Sequence, residues 1–547
     1  MPKVLQKYGI FLLIPCIVLG FSILLKAAAG PYWLAPNSDP SYQYLINGLY
    51  LIKGIVPNHT DHPGTPLQML FFIVYKFMNI GRSTEDIVSN VLMSPEFYLH
   101  IVFGVLTAAF FVTSAGLAVY IYRKTGDRIA AVLSQLPALT FLVLKSWDSF
   151  EPVFPVVVNV DPEPALMSVV NLFNLCLLVV YFSKASKDEF VPALFWGFVC
   201  GLGIAVKLTF LPLILVPLIV LAWKDKALFA LAFMVSFVLW TLPIISRYHI
   251  IWGWFSGIAL HVSVYVFLCA LLFITVSVFV FQKWVGRNLG RDPLFLVATM
   301  AGIGLQFFAV TRRPGAHYLL PGLGLFSGLF VLFYLQNVTR HALVKRIAVV
   351  FILIGLFLGV WQANAYRIKL RSFTRGIVDF QNQILAQYPN CIFIDYYRSS
   401  SPESALFFGD GWNLSPKLGE ELFRLYPNKY YFQIWGNRIL NFKGRVWAND
   451  LLAQGSCVLF RGDGAFNFRD GPYDLRLLEK GRFESIHLLT GTTEKQAAVF
   501  LSGAMQYIQS GDYPKALACL LQARQFHYQP DSSIKSLIEL LRQHFKN

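Results

Sequence analysis

The amino-acid sequence predicts a polytopic α-helical membrane protein that closes with a mixed α/β segment and a helical tail. Three observations carry this prediction. Of 547 residues, 56% are hydrophobic and only 14% are charged, and the mean hydropathy is positive, a balance that excludes an ordinary soluble domain. Apolar runs of bilayer length recur from the N-terminus to about residue 363, and beyond Trp361 the charge content returns to that of a soluble domain. The net charge of +16 does not point to nucleic acid, because Lys and Arg gather in short loops between the apolar runs, which is a topology signal.

A spanning helix needs about 20 apolar residues, with ~17 as a lower limit. Runs near that length fall at 8–25, 98–122, 129–144, 165–182, 190–206, 208–223, 227–246, 260–281, 294–310, 318–336 and 347–363, which makes eleven. The first follows a basic start and reads either as a cleaved signal peptide or as a retained anchor. Its length, with no prompt small-residue cleavage site behind it, favours the anchor. Residues 67–80 are apolar but short and carry Lys76, so an amphipathic helix at the interface is expected there.

Eleven spans and a cytoplasmic N-terminus put Arg123, Lys124 and Arg128, then Lys184 and Lys187, Lys224 and Lys226, Lys283, Arg287 and Arg291, and Arg340, Lys345 and Arg346 on the cytoplasmic face, as the positive-inside rule requires. The opposite face receives outer loops at 26–97 and 145–163, an aromatic loop at 247–257, the stretch TRRPGAHY and everything after the last span. None of the proposed spans carries Asp, Glu, Lys or Arg in its interior, which weighs against a coupled transporter.

Residues 366–491 read as an extracytoplasmic α/β domain, with strands at CIFIDYY, KYYFQIW, SCVLF and SIHLL and helices at PESALFF and YDLRLLEK. Residues 492–547 read as helical. The run GAMQYIQSGDYPKALACLLQARQFHYQP resembles a single tetratricopeptide repeat, which cannot bury its own face and so suits a docking or capping element. Cys391 and Cys457 either pair or stay free, whereas Cys16, Cys176, Cys200 and Cys269 lie in apolar runs and read as small hydrophobes.

The polar segments on the outer face supply the candidate site residues. Asp39, about a dozen residues beyond the first span, is either a base for an incoming hydroxyl or amine or part of a helix cap before Pro40. Asp61 and His62 precede a helix whose N-terminal amides could hold a phosphate oxygen, with His62 a hydrogen-bond donor to it or a solvated loop residue. Asp161 and Glu163, in VNVDPEPAL, could bind a divalent cation together with phosphates or could cap the following helix. Lys207 lies in the break between two spans, as a phosphate contact or as a snorkelling side chain. Arg312, Arg313, His317 and Tyr318 add cations and ring donors; an arginine there suits phosphate or merely anchors a span. Five polar segments, separated by whole spans, reach one face with the carboxylates, histidines and cations that a phosphate leaving group needs.

The order of these segments resembles the GT-C superfamily of polyprenyl-phosphate-dependent glycosyltransferases, in particular the protein O-mannosyltransferase and aminoarabinose transferase branch. Asp39 in NSDPSYQYL matches the family's catalytic acid of the first outer loop, although Pro40 stands where a second acid often follows. HPGTPL, from His62 to Leu67, is similar to the family's His-Pro-Pro-Leu motif, with Gly64 and Thr65 departing from it. GLGIAVK resembles the run that ends in a phosphate-side lysine, here Lys207, and AHYLLP resembles the family's Arg-Tyr-Leu-Leu-Pro segment with His317 in the basic position. Asp161 and Glu163 match its acidic second outer loop. The resemblance covers roughly residues 1–365 and implies a GT-C-like fold with inverting chemistry.

The function expected is sugar transfer from a polyprenyl- or dolichyl-phosphate donor to an acceptor hydroxyl or amine on a glycan, lipid or protein. Asp39 would be the base, and His62, Asp61, Lys207, Arg312, Arg313, His317 and Tyr318 would surround the phosphate. Asp161 and Glu163 would take the acceptor or a divalent cation. The expected setting is a bacterial inner or plasma membrane rather than the endoplasmic reticulum, with no nucleic-acid partner. Two rival readings are a flippase that binds the same headgroups without chemistry and a scaffold that works through its helical tail.

Overall fold

In lipid every backbone polar group must be satisfied within the chain, so apolar sequence of this length folds as helices. The computed structural model describes residues 8–34, 38–60, 63–144, 155–183, 190–259, 291–310, 316–338, 342–396, 401–411, 416–433, 438–454, 457–463, 473–481, 484–492, 495–526 and 532–544. Among these residues six helices are long and apolar enough to cross a membrane: Gly9–Ala29, Pro95–Thr125, Pro162–Phe182, Trp223–Gly253, His317–Val338 and Ala342–Gln387. The chain has the character of a polytopic membrane protein by helix length and composition. The expected span at 260–281 lies outside the described residues.

The helices, in chain order, are α1 (Leu13–Ala29), α2 (Ser38–Ile52), α3 (Thr65–Met78), α4 (Thr84–Met93) and α5 (Pro95–Thr125). Then come α6 (Arg128–Leu133), α7 (Ala138–Phe141), α8 (Pro162–Phe182), α9 (Phe190–Val206) and α10 (Leu215–Val220). They are followed by α11 (Trp223–Thr241), α12 (Tyr248–Ala259), α13 (Arg291–Val310), α14 (Leu320–Val338) and α15 (Ala342–Gln387).

The structure departs from the expected elements in three places. The run 129–144, expected as one span, is broken into α6 and α7, and at the break Gln135 Nε2 donates to the carbonyls of Phe11 at 2.8 Å and Ser114 at 3.2 Å. The run 208–223 becomes a 3-10 helix, Leu208–Ile214, with Pro212 inside it, followed by the short α10; proline deletes a backbone donor and disfavours a regular helix. The aromatic stretch expected as a loop at 247–257 is helical, continuing as α12.

Close approach between helices rests on small residues, as expected where lipid removes any hydrophobic preference between helices. A Cβ at Gly197 or Gly201 of α9 would run into backbone oxygens of Phe229 and Phe233 on α11, and Ser236 Oγ donates to the Phe198 carbonyl at 2.7 Å. On α14, a Cβ at Gly324 would run into Val170 of α8 and one at Gly328 into Asn174 of the same helix. Asn174 Nδ2 donates to the Gly324 carbonyl at 3.0 Å, and its Oδ1 accepts from the Gly328 amide at 3.1 Å. Outward side chains are apolar, with Phe357 and Leu353 of α15 at 69% and 60% exposure.

Two compact units divide the chain. The first holds residues up to Tyr32, 36–374 and, from much later in sequence, Gly409–Lys417. The second holds 33–35, 375–408 and 418–547. In the second unit β1 (Ile392–Tyr396) precedes α16 (Pro402–Gly411, whose last residues belong to the first unit), α17 (Gly419–Leu425), β2 (Tyr430–Gln433), β3 (Arg438–Asn441), β4 (Gly444–Val446) and α18 (Ala448–Ala453). Strands β5 (Val458–Asp463), β6 (Tyr473–Lys480) and β7 (Glu484–Thr492) complete a seven-stranded sheet ordered β4-β3-β2-β1-β5-β7-β6. Among the described strands, β1 pairs in parallel with β2 and β5, and the other pairings are antiparallel.

One face of the sheet is closed by Ile394, Phe432, Ile439, Leu451 and Phe460. Against the other pack Ile384 of α15, Leu459 and Ile486. YDLRLLEK, expected as a helix, is strand β6, paired along its length with β7. Cys391 and Cys457 are disulfide-bonded, joining the starts of β1 and β5. The tail is three helices, α19 (Lys495–Gln509), α20 (Tyr513–Phe526) and α21 (Ser532–His544), around Ala504, Ala516, Leu520, Ile538 and Leu541.

Candidate functional site

The chemistry-bearing residues converge where α2, the start of α8, the break after α9 and the start of α14 meet. Helix α8 begins at Pro162 because proline suits a first helical position, and Asp161 caps it, its Oδ1 accepting from the Glu163 amide at 3.2 Å. Asp161 and Glu163 are 4% and 3% exposed. Lys207, at the break between α9 and the 3-10 helix, is equally buried and donates from Nζ to Glu163 Oε1. His317 brings Nε2 to 3.9 Å from the same oxygen. Tyr318 lies with its ring centroid 4.9 Å from Lys207 Nζ and 4.0 Å from the His317 ring.

Glu163 and Lys207 thus form one ion pair with a histidine beside it. A lone buried charge would be prohibitive, and each of these charges offsets the desolvation of the other. Burial pushes the Asp161 carboxyl well above the usual carboxylate range, and the Glu163 carboxylate beside it pushes the same way. Asp161 is therefore suited to holding a proton and donating a hydrogen bond. Among the described residues no three of His, Cys, Asp and Glu come together as a metal cradle, and the Glu163 charge is already met by Lys207.

The segment after α1 reaches this cluster through α2. Asp39 stands in the first turn of α2. Two residues on, Ser41 Oγ accepts from the Val160 amide at 3.2 Å, next to Asp161. Three residues on, the Tyr42 hydroxyl donates to Glu96 Oε1 at 2.8 Å, while Glu96 Oε2 accepts from the Tyr32 amide at 2.9 Å. Lys26 lies over the Tyr32 ring, 3.3 Å from its centroid, and donates to the Gly30 carbonyl at 2.6 Å. Glu96, Tyr42, Ser41 and Tyr32 were not singled out by sequence, since an acid in a first helical turn or a tyrosine in an apolar run carries no signal alone.

The stretch that leads to Asp61 and His62 is held by side chains of α2 and α3. Asn47 Oδ1 of α2 accepts from the amides of Asn58 at 2.7 Å and His59 at 3.1 Å, and Gln68 Nε2 of α3 donates to the His59 carbonyl at 2.7 Å. Gly64 has φ +64°, and a Cβ there would strike the Tyr44 ring, so the turn into α3 needs glycine twice over. Asp61, His62, Arg312 and Arg313 lie outside the described residues.

The chain matches no protein-family model and no curated protein sequence.

Proposed function

We propose that this chain is a membrane enzyme of the GT-C type, an inverting glycosyltransferase that moves a sugar from a polyprenyl- or dolichyl-phosphate to an acceptor hydroxyl or amine. In this reading eleven spans leave the N-terminus cytoplasmic, and the sheet unit is extracytoplasmic, in a bacterial inner or plasma membrane. The observation that carries it is the meeting of Asp161, Glu163, Lys207, His317 and Tyr318 beside the first turns of α2, which supports one site assembled from four separated segments. The Cys391–Cys457 bond supports an oxidising compartment for the sheet unit.

The acceptor oxygen attacks the anomeric carbon from the face opposite the phosphate. The carbon–oxygen bond to the phosphate breaks with inversion, and the acceptor proton goes to the Asp39 carboxylate. Lys207, with three donors, keeps one on Glu163 and turns another to the phosphate as its charge develops; His62, Asp61, Arg312, Arg313, His317 and Tyr318 complete its surroundings. Asp161, holding its proton, donates to the acceptor or a sugar hydroxyl.

A flippase would need charge along a route through the helices. Lys26, Glu96, Glu163 and Lys207 instead sit in terminal turns of helices or between them, which favours chemistry at a membrane surface. The test is turnover of decaprenyl-phosphate-linked sugars by the purified chain, read as release of decaprenyl phosphate. Asp39→Asn is expected to retain lipid binding and lose transfer, and unchanged turnover in that variant removes Asp39 as the base.

A further inference from the structure

A segment from far along the chain is built into the helical unit beside the first outer loop. Gly409–Lys417 belongs to that unit although it follows β1 in sequence. Asp410 is 1% exposed, and its Oδ1 accepts from the Tyr50 hydroxyl at 2.5 Å and from the Lys417 amide at 3.0 Å. Tyr50, fully buried in α2, also receives Asn58 Nδ2 on its hydroxyl oxygen at 3.3 Å. Next to Asp410, a Cβ on Gly409 would come within 2.9 Å of the Tyr42 carbonyl and 3.1 Å of Ile46 Cγ1. The segment therefore lies against α2 one turn beyond Asp39 through a residue that only glycine can fill without displacement.

A carboxylate at this place has a definite physical effect. Out of water, an acceptor oxygen holds each hydrogen bond it receives firmly because no solvent competes for the donor, and a tyrosine that both donates and accepts passes that order on. The line runs from Asp410 through Tyr50 to Asn58, whose backbone, with that of His59, is held by Asn47. Two residues later the chain reaches Asp61 and His62.

We propose that Asp410 is a positioning residue that holds the Asn58–Thr60 stretch in place through Tyr50 and Asn58, so that a segment 360 residues away in sequence controls how the first outer loop meets a lipid phosphate. The phosphate part rests on the function proposed above; the brace does not.

Amide exchange of the full chain in detergent separates the two. Asp410→Ala and Tyr50→Phe each speed exchange at Asn58 and His59 by about tenfold, the effect of losing one buried hydrogen bond, with α5 unchanged. Asp410→Asn retains an acceptor oxygen and restores wild-type exchange. Unchanged exchange in both Asp410→Ala and Tyr50→Phe, or failure of Asp410→Asn to rescue, overturns the brace. With decaprenyl phosphate as probe, Asp410→Ala weakens binding by about tenfold while Asp410→Asn binds as wild type. Equal affinity in wild type and Asp410→Ala overturns the control of phosphate binding. A wild-type chain that binds no decaprenyl phosphate overturns the underlying function and with it the phosphate part, and the exchange result then decides the brace alone.

Discussion

Glu163 and Lys207, 44 residues apart in sequence, form a buried ion pair in which Lys207 Nζ donates to Glu163 Oε1. Neither charge is tolerable there without the other, so the pair ties the start of α8 to the break after α9.

Breaking the pair on one side leaves the other charge stranded. Glu163→Gln is expected to cost about 3–5 kcal/mol of stability. Replacing both, with Glu163→Gln and Lys207→Met, recovers most of that loss. Thermal unfolding of the detergent-purified chain measures both, and a double variant no more stable than the single one contradicts the pairing.

Asp161 responds to pH in the opposite sense from a salt-bridged carboxylate. Its pKa is raised in the fold, by burial first and then by Glu163. Its contribution to stability is therefore complete below the unfolded carboxylate value and is lost as pH rises through the raised folded value. Asp161→Asn, which imitates the protonated form, should flatten that part of the stability curve while leaving the acid side unaltered. Unfolding midpoints measured across pH decide it.

Helix α9 approaches α11 through Gly197 and Gly201. Gly201→Val forces a side chain into backbone and should cost roughly 1–3 kcal/mol through overpacking. Gly104, whose Cβ would meet nothing within 4 Å, is the control: Gly104→Ala should leave the unfolding midpoint unlowered.

The disulfide closes a sequence separation of 66 residues between Cys391 and Cys457. By loop entropy its removal should destabilise the sheet unit by about 4 kcal/mol or somewhat less. Cys391→Ser with Cys457→Ser should lower the unfolding transition of that unit. Thiol labelling of the unreduced, unfolded chain should leave these two cysteines unmodified.

Much of the architecture was legible because its causes are local. A bilayer forces apolar stretches into helices, so the long runs at Gly9–Ala29, Pro95–Thr125 and Pro162–Phe182 announced themselves by length alone. The strands β1, β2, β5 and β7 fall on the β-branched and aromatic runs in which they were expected. YDLRLLEK did not show its strand, since its leucines fit either periodicity and only pairing with β7 settles it. Nor did the run 129–144 show its break, which depends on Gln135 finding carbonyls on two other helices.

The candidate residues divide in the same way. Asp161, Lys207 and His317 could be named from the chain because acids, lysines and histidines are conspicuous beside apolar runs. Whether they meet was beyond the sequence: an ion pair needs two side chains within about 4 Å, and helix packing alone brings Glu163 to Lys207 and His317. The same holds more strongly for Asp410 and Tyr50, ordinary residues whose partnership exists because Gly409 lets a distant segment lie on α2. Periodicity and hydropathy chose the elements, which are short-range properties, and tertiary packing chose the neighbours, which no spacing along the chain encodes.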